Sequence, residues 1–227
     1  MVTFRIRDRD NLKNIILPIF DNYSLLTSKK FNYLKFKESL LISYNYNINQ
    51  EKKINLINEI KNKILPNDYY SNIWDKININ NFDEEYLINH LKDIEIIMSR
   101  SWLTGFIEAE GSFYYTNKDS LRTLHGFGIT QKLDKIVLIS IKYILNITSK
   151  VKWNNKGFYA LDTTNNKDIK YIINYFITND HTSLFKGFKS YEFNIWKRTY
   201  YKHKGNYKLL KKISNKVNFI KNKHKIN

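Results

Sequence analysis

The densest chemistry in this 227-residue chain lies in Ser101–Phe113, which reads SWLTGFIEAEGSF. Leu103, Phe106, Ile107 and Ala109 are apolar at mixed helical spacings, so the stretch predicts a short helix. Ser99 or Ser101 caps its start, because a hydroxyl accepts from an exposed backbone N–H of the first turn. Gly111 suits an exit with positive φ. Ser112-Phe113-Tyr114-Tyr115 then reads as a strand. Glu110 falls in the last helical turn, at the negative end of the dipole, where a carboxylate is disfavoured. A hard divalent cation such as Mg²⁺, which prefers carboxylate oxygen, would compensate it. Two readings therefore fit: a metal ligand, or a solvated glutamate at a frayed helix end. Glu108, two residues earlier, points elsewhere. Gly105 and Ala109 are four apart and share one helix face, which lets a second helix backbone approach closely.

Composition narrows the setting. The net charge is +17 and the pI about 9.7, which favours a polyanionic partner, either nucleic acid or an anionic membrane surface. No apolar run is long enough for a membrane span. The absence of cysteine excludes disulfides, thiol catalysis and thiolate zinc sites together. His90, His125, His181, His203 and His224 show no ligand spacing and read as surface or nucleic-acid-facing residues. Arg5, Arg7 and Arg9 interleave with Asp8 and Asp10, which argues against a signal or transit peptide. Asn, Ile, Lys and Tyr are abundant, and alanine occurs only at 109 and 160. These are residues of AT-rich codons, so part of the lysine excess reflects the genome.

The elements around the motif follow from pattern. Thr3–Arg7 alternates as a strand. Asp10 caps a helix carrying Leu12, Ile15, Ile16 and Ile19, which Pro18 should kink or end. Thr27-Ser28 precede a helix with Phe31, Leu34 and Leu41 as core candidates. Aligning Phe31 with Phe188, an offset of 157, also pairs Leu12 with Ile169, Ile15 with Ile172, Ile16 with Ile173, Ile19 with Phe176, Lys29 with Lys186 and Phe36 with Phe193. This argues for an internal repeat. Residues 45–98 read as a linker with solvated acids at Asp83, Glu84, Glu85, Asp93 and Glu95. From 99 to 200 the order is αββαββα, a mixed α/β unit with an antiparallel sheet backed by helices. Its strands include Gly126–Gln131 and an alternating Lys150–Asn154 run, with Lys150, Lys152 and Asn154 on one side and Val151 and Trp153 on the other. Asn154–Gly157 is a hairpin turn. Residues 197–227 carry eleven Lys/Arg and no acid. Leu209, Ile213, Val217 and Ile220 form one stripe there, as in a basic amphipathic helix that clamps nucleic acid, lies on a membrane surface, or remains a loose tail.

Leu103–Gly111, LTGFIEAEG, with the Ser112-Phe113 that follows, resembles the motif of the LAGLIDADG homing endonucleases and intron maturases. Residues 17–42, LPIFDNYSLLTSKKFNYLKFKESLLI, resemble the closing part of a half-domain of the same family. The resemblance implies a truncated first half-domain over 1–44, a linker over 45–98, a complete half-domain over 99–200 and a basic tail over 201–227. It implies that two motif helices pack through small residues, here Gly105 and Ala109. The acid at the eighth motif position, Glu110, with Gly111 beside it, would hold the catalytic Mg²⁺. Gln131 matches the family's "TQ" near the scissile phosphate, and Lys29 and Lys186 its central basic residues. The polar sheet face would lie in the major groove of double-stranded DNA, through Tyr114, Thr116, Lys118, Arg122, Lys150, Lys152 and Asn154. The second motif helix would come from a second copy in a homodimer or from an upstream segment. The implied function is an intron-encoded, site-specific DNA endonuclease, organelle-encoded and mitochondrial. The rivals are a maturase bound to group I intron RNA, a decayed nucleic-acid-binding remnant, and a membrane-surface protein.

Overall fold

The computed structural model describes residues 5–77, 89–119 and 122–226, with side chains up to 220. Two compact units divide the chain, Val2–Asn81 and Phe82–Asn227.

The first unit is helical. Helix α1 spans 9–22, and Asp8 caps it by accepting from the Asn11 N–H at 2.8 Å. Asp10, the expected cap, accepts instead from the Tyr44 hydroxyl at 2.7 Å. Pro18 does not end the helix. The turn before it, Leu12–Ile16, widens to π pitch, and helix continues through Leu17–Asn22. A wider turn of this kind accommodates a residue without an N–H. Of the strand expected over Thr3–Arg7, residues 3 and 4 lie outside the described residues, and 5–7 form no strand. Helix α2 is Lys29–Tyr44 and α3 is Gln50–Asn62. Leu17, Tyr33 and Leu40 form the core, with Leu12, Phe20, Leu25 and Tyr44 packed on it. Residues 45–77 are more than a connection. Trp74 is wholly buried and donates its indole N–H to the Leu26 carbonyl at 2.8 Å, and Ile77 is buried beside it in sequence. The acids expected in the linker at Asp83, Glu84 and Glu85 lie outside the described residues.

The second unit runs α4 (Leu91–Ile97), α5 (Arg100–Glu110), β1 (Ser112–Asn117), β2 (Thr123–Gln131), α6 (Lys135–Ile144), β3 (Lys152–Asn154), β4 (Phe158–Thr163), α7 (Asn166–Tyr175), α8 (Phe188–His203) and α9 (Tyr207–Ile226). From α5 to α7 this is the expected αββαββα order. The sheet is antiparallel throughout, in the order β1-β2-β4-β3. Residues paired across antiparallel strands point to the same face. One face, with Phe113, Phe127, Ile129 and Leu161, is buried. Phe113 lies within 5.6 Å of the ring centroids of Phe127, Phe185, Phe193 and Trp196. Burial of such rings is the main stabilising term of the unit. Buried Asp168 at the start of α7 accepts from the Thr148 N–H and from the Thr148 and Thr163 hydroxyls, and so ties three segments together. Gly157 turns the β3–β4 hairpin at φ +85°.

Two expectations shift. Strand β3 covers only Lys152–Asn154, which leaves Lys150 outside it. Trp153, on this edge strand, is 57% exposed and packs on Tyr159. Along α9 the expected stripe holds, with Val217 buried and Leu209, Ile213 and Ile220 half-buried, but the most buried position is Leu210, which lies outside it. No helix among the described residues is long and apolar enough to cross a membrane.

His125 makes a pH prediction. It is 5% exposed, meets the Thr199 hydroxyl at 3.0 Å, and is ringed by Tyr115, Trp196 and Tyr200. Burial, with Lys204 adding repulsion, lowers its pKa to about 4. The unfolded chain therefore takes up this proton first, near pH 6.5. Stability is full above that pH, falls as pH drops towards 4, and is flat below. The loss is at most about 3 kcal/mol. Urea midpoints compared at pH 7.5 and 4.5 should show this drop, and His125→Gln should reduce it.

Candidate active site

The geometry starts at α5. The Ser99 hydroxyl accepts from the Trp102 N–H at 3.2 Å and caps the helix. The Arg100 guanidinium donates to the carbonyls of Tyr175 and Ile177, which fixes the start of α5 to the end of α7. Leu103 and Ile107 are wholly buried. Gly105, Ala109 and Glu110 are exposed, and a Cβ added at Gly105 would meet nothing within 4 Å. The small-residue face of α5 is therefore open.

The helix ends differently from the sequence expectation. Gly111 has φ −75° and is extended, not left-handed. Glycine is needed there for space: a Cβ would lie 2.6 Å from Ile107 Cγ2 and 2.7 Å from its carbonyl oxygen.

The two motif acids do different work. Glu108 accepts from the backbone N–H groups of Lys186 (3.3 Å) and Gly187, just before α8. A carboxylate at that positive helix end is favourable. A side chain on Gly187 would meet Glu108 Oε1 at 2.7 Å. Glu110 makes no hydrogen bond or ion pair with any described residue. It is a free carboxylate at a negative helix end.

Lys189 makes a contact beside the motif that sequence reasoning did not single out. Its ammonium donates to the Gly111 carbonyl at 2.6 Å and pairs with Glu192 at 3.2 Å. This positive charge therefore sits one peptide away from Glu110. The expected Lys186 is exposed and meets Glu108 only through its backbone. Burial explains the difference. Two of the three buried positions of α2, Tyr33 and Leu40, fall on buried Phe193 and Tyr200 of α8 at an offset of 160. That register pairs Lys29 with Lys189, three positions beyond the alignment on Phe31 and Phe188. The signal was present as a lysine with aromatics two and four residues on: Lys29-Phe31-Tyr33 and Lys189-Tyr191-Phe193.

Glu110, Ser112, Tyr114, Gly128, Thr130 and Asp162 line a groove at the edge of the open sheet face. Tyr114 is the one expected nucleic-acid contact that lines it. Lys152 and Asn154 lie on the same face by register, Lys152 opposite Ala160, which itself pairs with Thr130. Thr116 continues that face along β1, two residues beyond Tyr114. Lys118 and Arg122 close the β1–β2 hairpin, and Arg122 pairs with Asp119 at 2.6 Å. Gln131, opposite Tyr159, falls on the other face by register and does not line the groove. Lys29 is exposed at the start of α2 in the first unit.

A hard cation fits Glu110. Mg²⁺ is held by one or two carboxylates together with waters and substrate phosphates, not by an all-protein cage. The described residues hold no cluster of three potential His, Cys, Asp or Glu ligands. The Gly111 carbonyl has a second lone pair, but the Lys189 ammonium on the first opposes a cation there. Of the two expected ligands, Glu110 is the one whose oxygens are unengaged.

A helix ending in a free carboxylate above an antiparallel sheet, with one face open and the other under helices, defines a LAGLIDADG half-domain. The chain belongs to the LAGLIDADG endonuclease family, whose model matches residues 1–40 and 103–200. It is similar to the "Probable intron-encoded endonuclease Cox1-I1b" of Schizosaccharomyces pombe, 33% identical over 98% of this chain and 53% of the relative. It is also similar to the "Probable intron-encoded endonuclease aI3" of Dictyostelium citrinum, 30% identical over 71% of this chain and 55% of that one. The chain thus spans about half the length of these curated relatives. Its fold matches a structure of I-SmaMI bound to uncleaved DNA target in the presence of calcium ions, with TM-score 0.66 and 24% identity over 87% of this chain and 67% of that one. The LAGLIDADG meganuclease I-CpaMI bound to uncleaved DNA matches with TM-score 0.63 and 19% identity over 87% of this chain and 68% of that one. These two likenesses concern the fold.

Proposed function

We infer that this chain acts as part of an intron-encoded homing endonuclease that hydrolyses phosphodiester bonds at a specific site in double-stranded DNA. The carrying observation is Glu110, a free carboxylate beside the open sheet face, with the Lys189 ammonium held one peptide away. The fold of the neighbours and the names of the relatives support the reading. Tyr114, Thr116, Lys152 and Asn154 supply side chains that suit phosphate and base-edge contacts in a major groove.

Glu110 would hold Mg²⁺, which when bound lowers the pKa of water and offsets negative charge on the phosphate. Lys189 is positioned to stabilise the charge that develops on the phosphoryl oxygens. Glu108 fixes the loop that delivers Lys189. Lys29 holds the matching place in the first unit. Gln131, which the resemblance places near the scissile phosphate, lies on the other face of the sheet by register and is given no part in this reading. A second acid must come from another motif helix, docked on the open Gly105–Ala109 face. A second copy or a further segment of the protein would supply it. The relative's cox1 intron name and the AT-rich composition agree with a mitochondrial setting.

Cleavage of intron-free host mitochondrial DNA in Mg²⁺ tests the reading. A discrete double-strand break supports it. No break, together with tight binding to a group I intron RNA, would replace it with the maturase. Lysine substitutions separate the two candidate charges. Lys189→Met should slow cleavage by roughly 100-fold, in the range for losing one transition-state charge contact, with DNA affinity kept. Lys186→Met should change it by only a few-fold. The reverse ranking would restore Lys186.

A further inference from the structure

One part of the open sheet face has no role in the chemistry above. Strand β2 places two glycines on that face, Gly126 opposite Tyr114 and Gly128 opposite Asp162. The Tyr114 ring lies across the bare strand between them. A Cβ on Gly126 would come within 2.3 Å of its ring carbons, and one on Gly128 within 2.7 Å of the Asp162 carboxylate. The Tyr114 hydroxyl reaches both carboxylate oxygens, at 2.5 and 2.6 Å. Burial and the Asp162 charge push the Tyr114 hydroxyl pKa well up, so it stays a donor.

The remaining acceptor capacity of Asp162 is large. A carboxylate has about four lone-pair sites, and one tyrosine proton occupies one. No described cation pairs with this side chain, and Asp162 is exposed. A carboxylate on a basic face repels phosphate oxygens. It has a favourable partner where a base presents an amino group, and in the major groove the cytosine N4 amino is the donor that Asp accepts from.

We propose that Asp162, braced by Tyr114 across the Gly126–Gly128 gap, is a specificity residue that accepts a hydrogen bond from the amino group of one cytosine in the target. This rests on the DNA reading above. The test uses the full chain carrying Glu110→Gln, so that bound DNA is not cut. A randomised duplex library is selected on it and sequenced, then again with Asp162→Ala and Asp162→Asn added. The first selection should yield a motif with a fixed C·G pair. Asp162→Ala should relax that one position by about tenfold or more and leave the others fixed. Asp162→Asn, nearly isosteric, should move the position towards adenine, because an amide both donates and accepts. It also guards against a folding defect in the alanine variant. A motif unchanged by both substitutions overturns the proposal while the DNA reading stands. A first selection that enriches no motif removes both.

Discussion

Glu110→Gln should abolish DNA cleavage, by roughly a thousandfold or more, while binding to the same DNA is kept or tightened. The size follows from removing a charge that acts on the reacting phosphate inside the site. The retained binding follows from geometry. The Glu110 side chain makes no hydrogen bond or ion pair with any described residue, so its replacement by a neutral amide breaks no such bond in the fold. Losing one carboxylate near DNA also lowers repulsion with phosphate. The measurement is a cleavage time course in Mg²⁺ beside a gel-shift titration at fixed salt. Equal loss of binding and cutting would show that Glu110 is a structural residue. Unchanged cutting would remove it from the chemistry altogether.

Gly105→Leu should separate folding from assembly. The site is open, with nothing within 4 Å of a new Cβ. Leucine is also the better helix former, by somewhat less than the roughly 0.8–1 kcal/mol that separates glycine from alanine. The purified chain should therefore melt at the same temperature or slightly higher. A leucine side chain nevertheless bars the close backbone approach that a second helix needs on this face. Association, read by sedimentation velocity, and cleavage should both be lost. A stable variant that still cuts like the wild type would refute the docking role of this face. A variant that loses its fold would mean that Gly105 is packed in a way the open face does not show.

Much of this was legible in the sequence because several local signals agreed. The motif helix, its Ser99 cap, the Asn154–Gly157 turn and the strand order each rest on residues whose preferences point one way. The site was less legible. Lys186 and Lys189 differ by one turn of chain: aligning Phe31 with Phe188 pairs Lys29 with the first, and the buried positions pair it with the second. In a chain rich in Lys, Ile and aromatics, single matches are cheap, and only burial at Tyr33, Leu40, Phe193 and Tyr200 separated the registers. Gly111 was read as a conformational glycine, and it is a steric one. The difference lies in Ile107, four residues back, which no local pattern marks. Asp162 carried no signal, because a lone acid on a strand resembles a solvated charge until its partner across the sheet is known.

The Lys189–Gly111 contact ties two things that are usually separable. The ammonium is anchored on the peptide that leads out of α5, the helix whose open flank is proposed to receive a partner. Any tilt of α5 on assembly therefore carries the carboxylate and the opposing charge together, as a lever moves both marks on one arm. Their mutual spacing is preserved while their aim at the phosphate changes. Imperfect partners should then bind and still cut slowly, and turnover becomes a finer gauge of correct pairing than affinity.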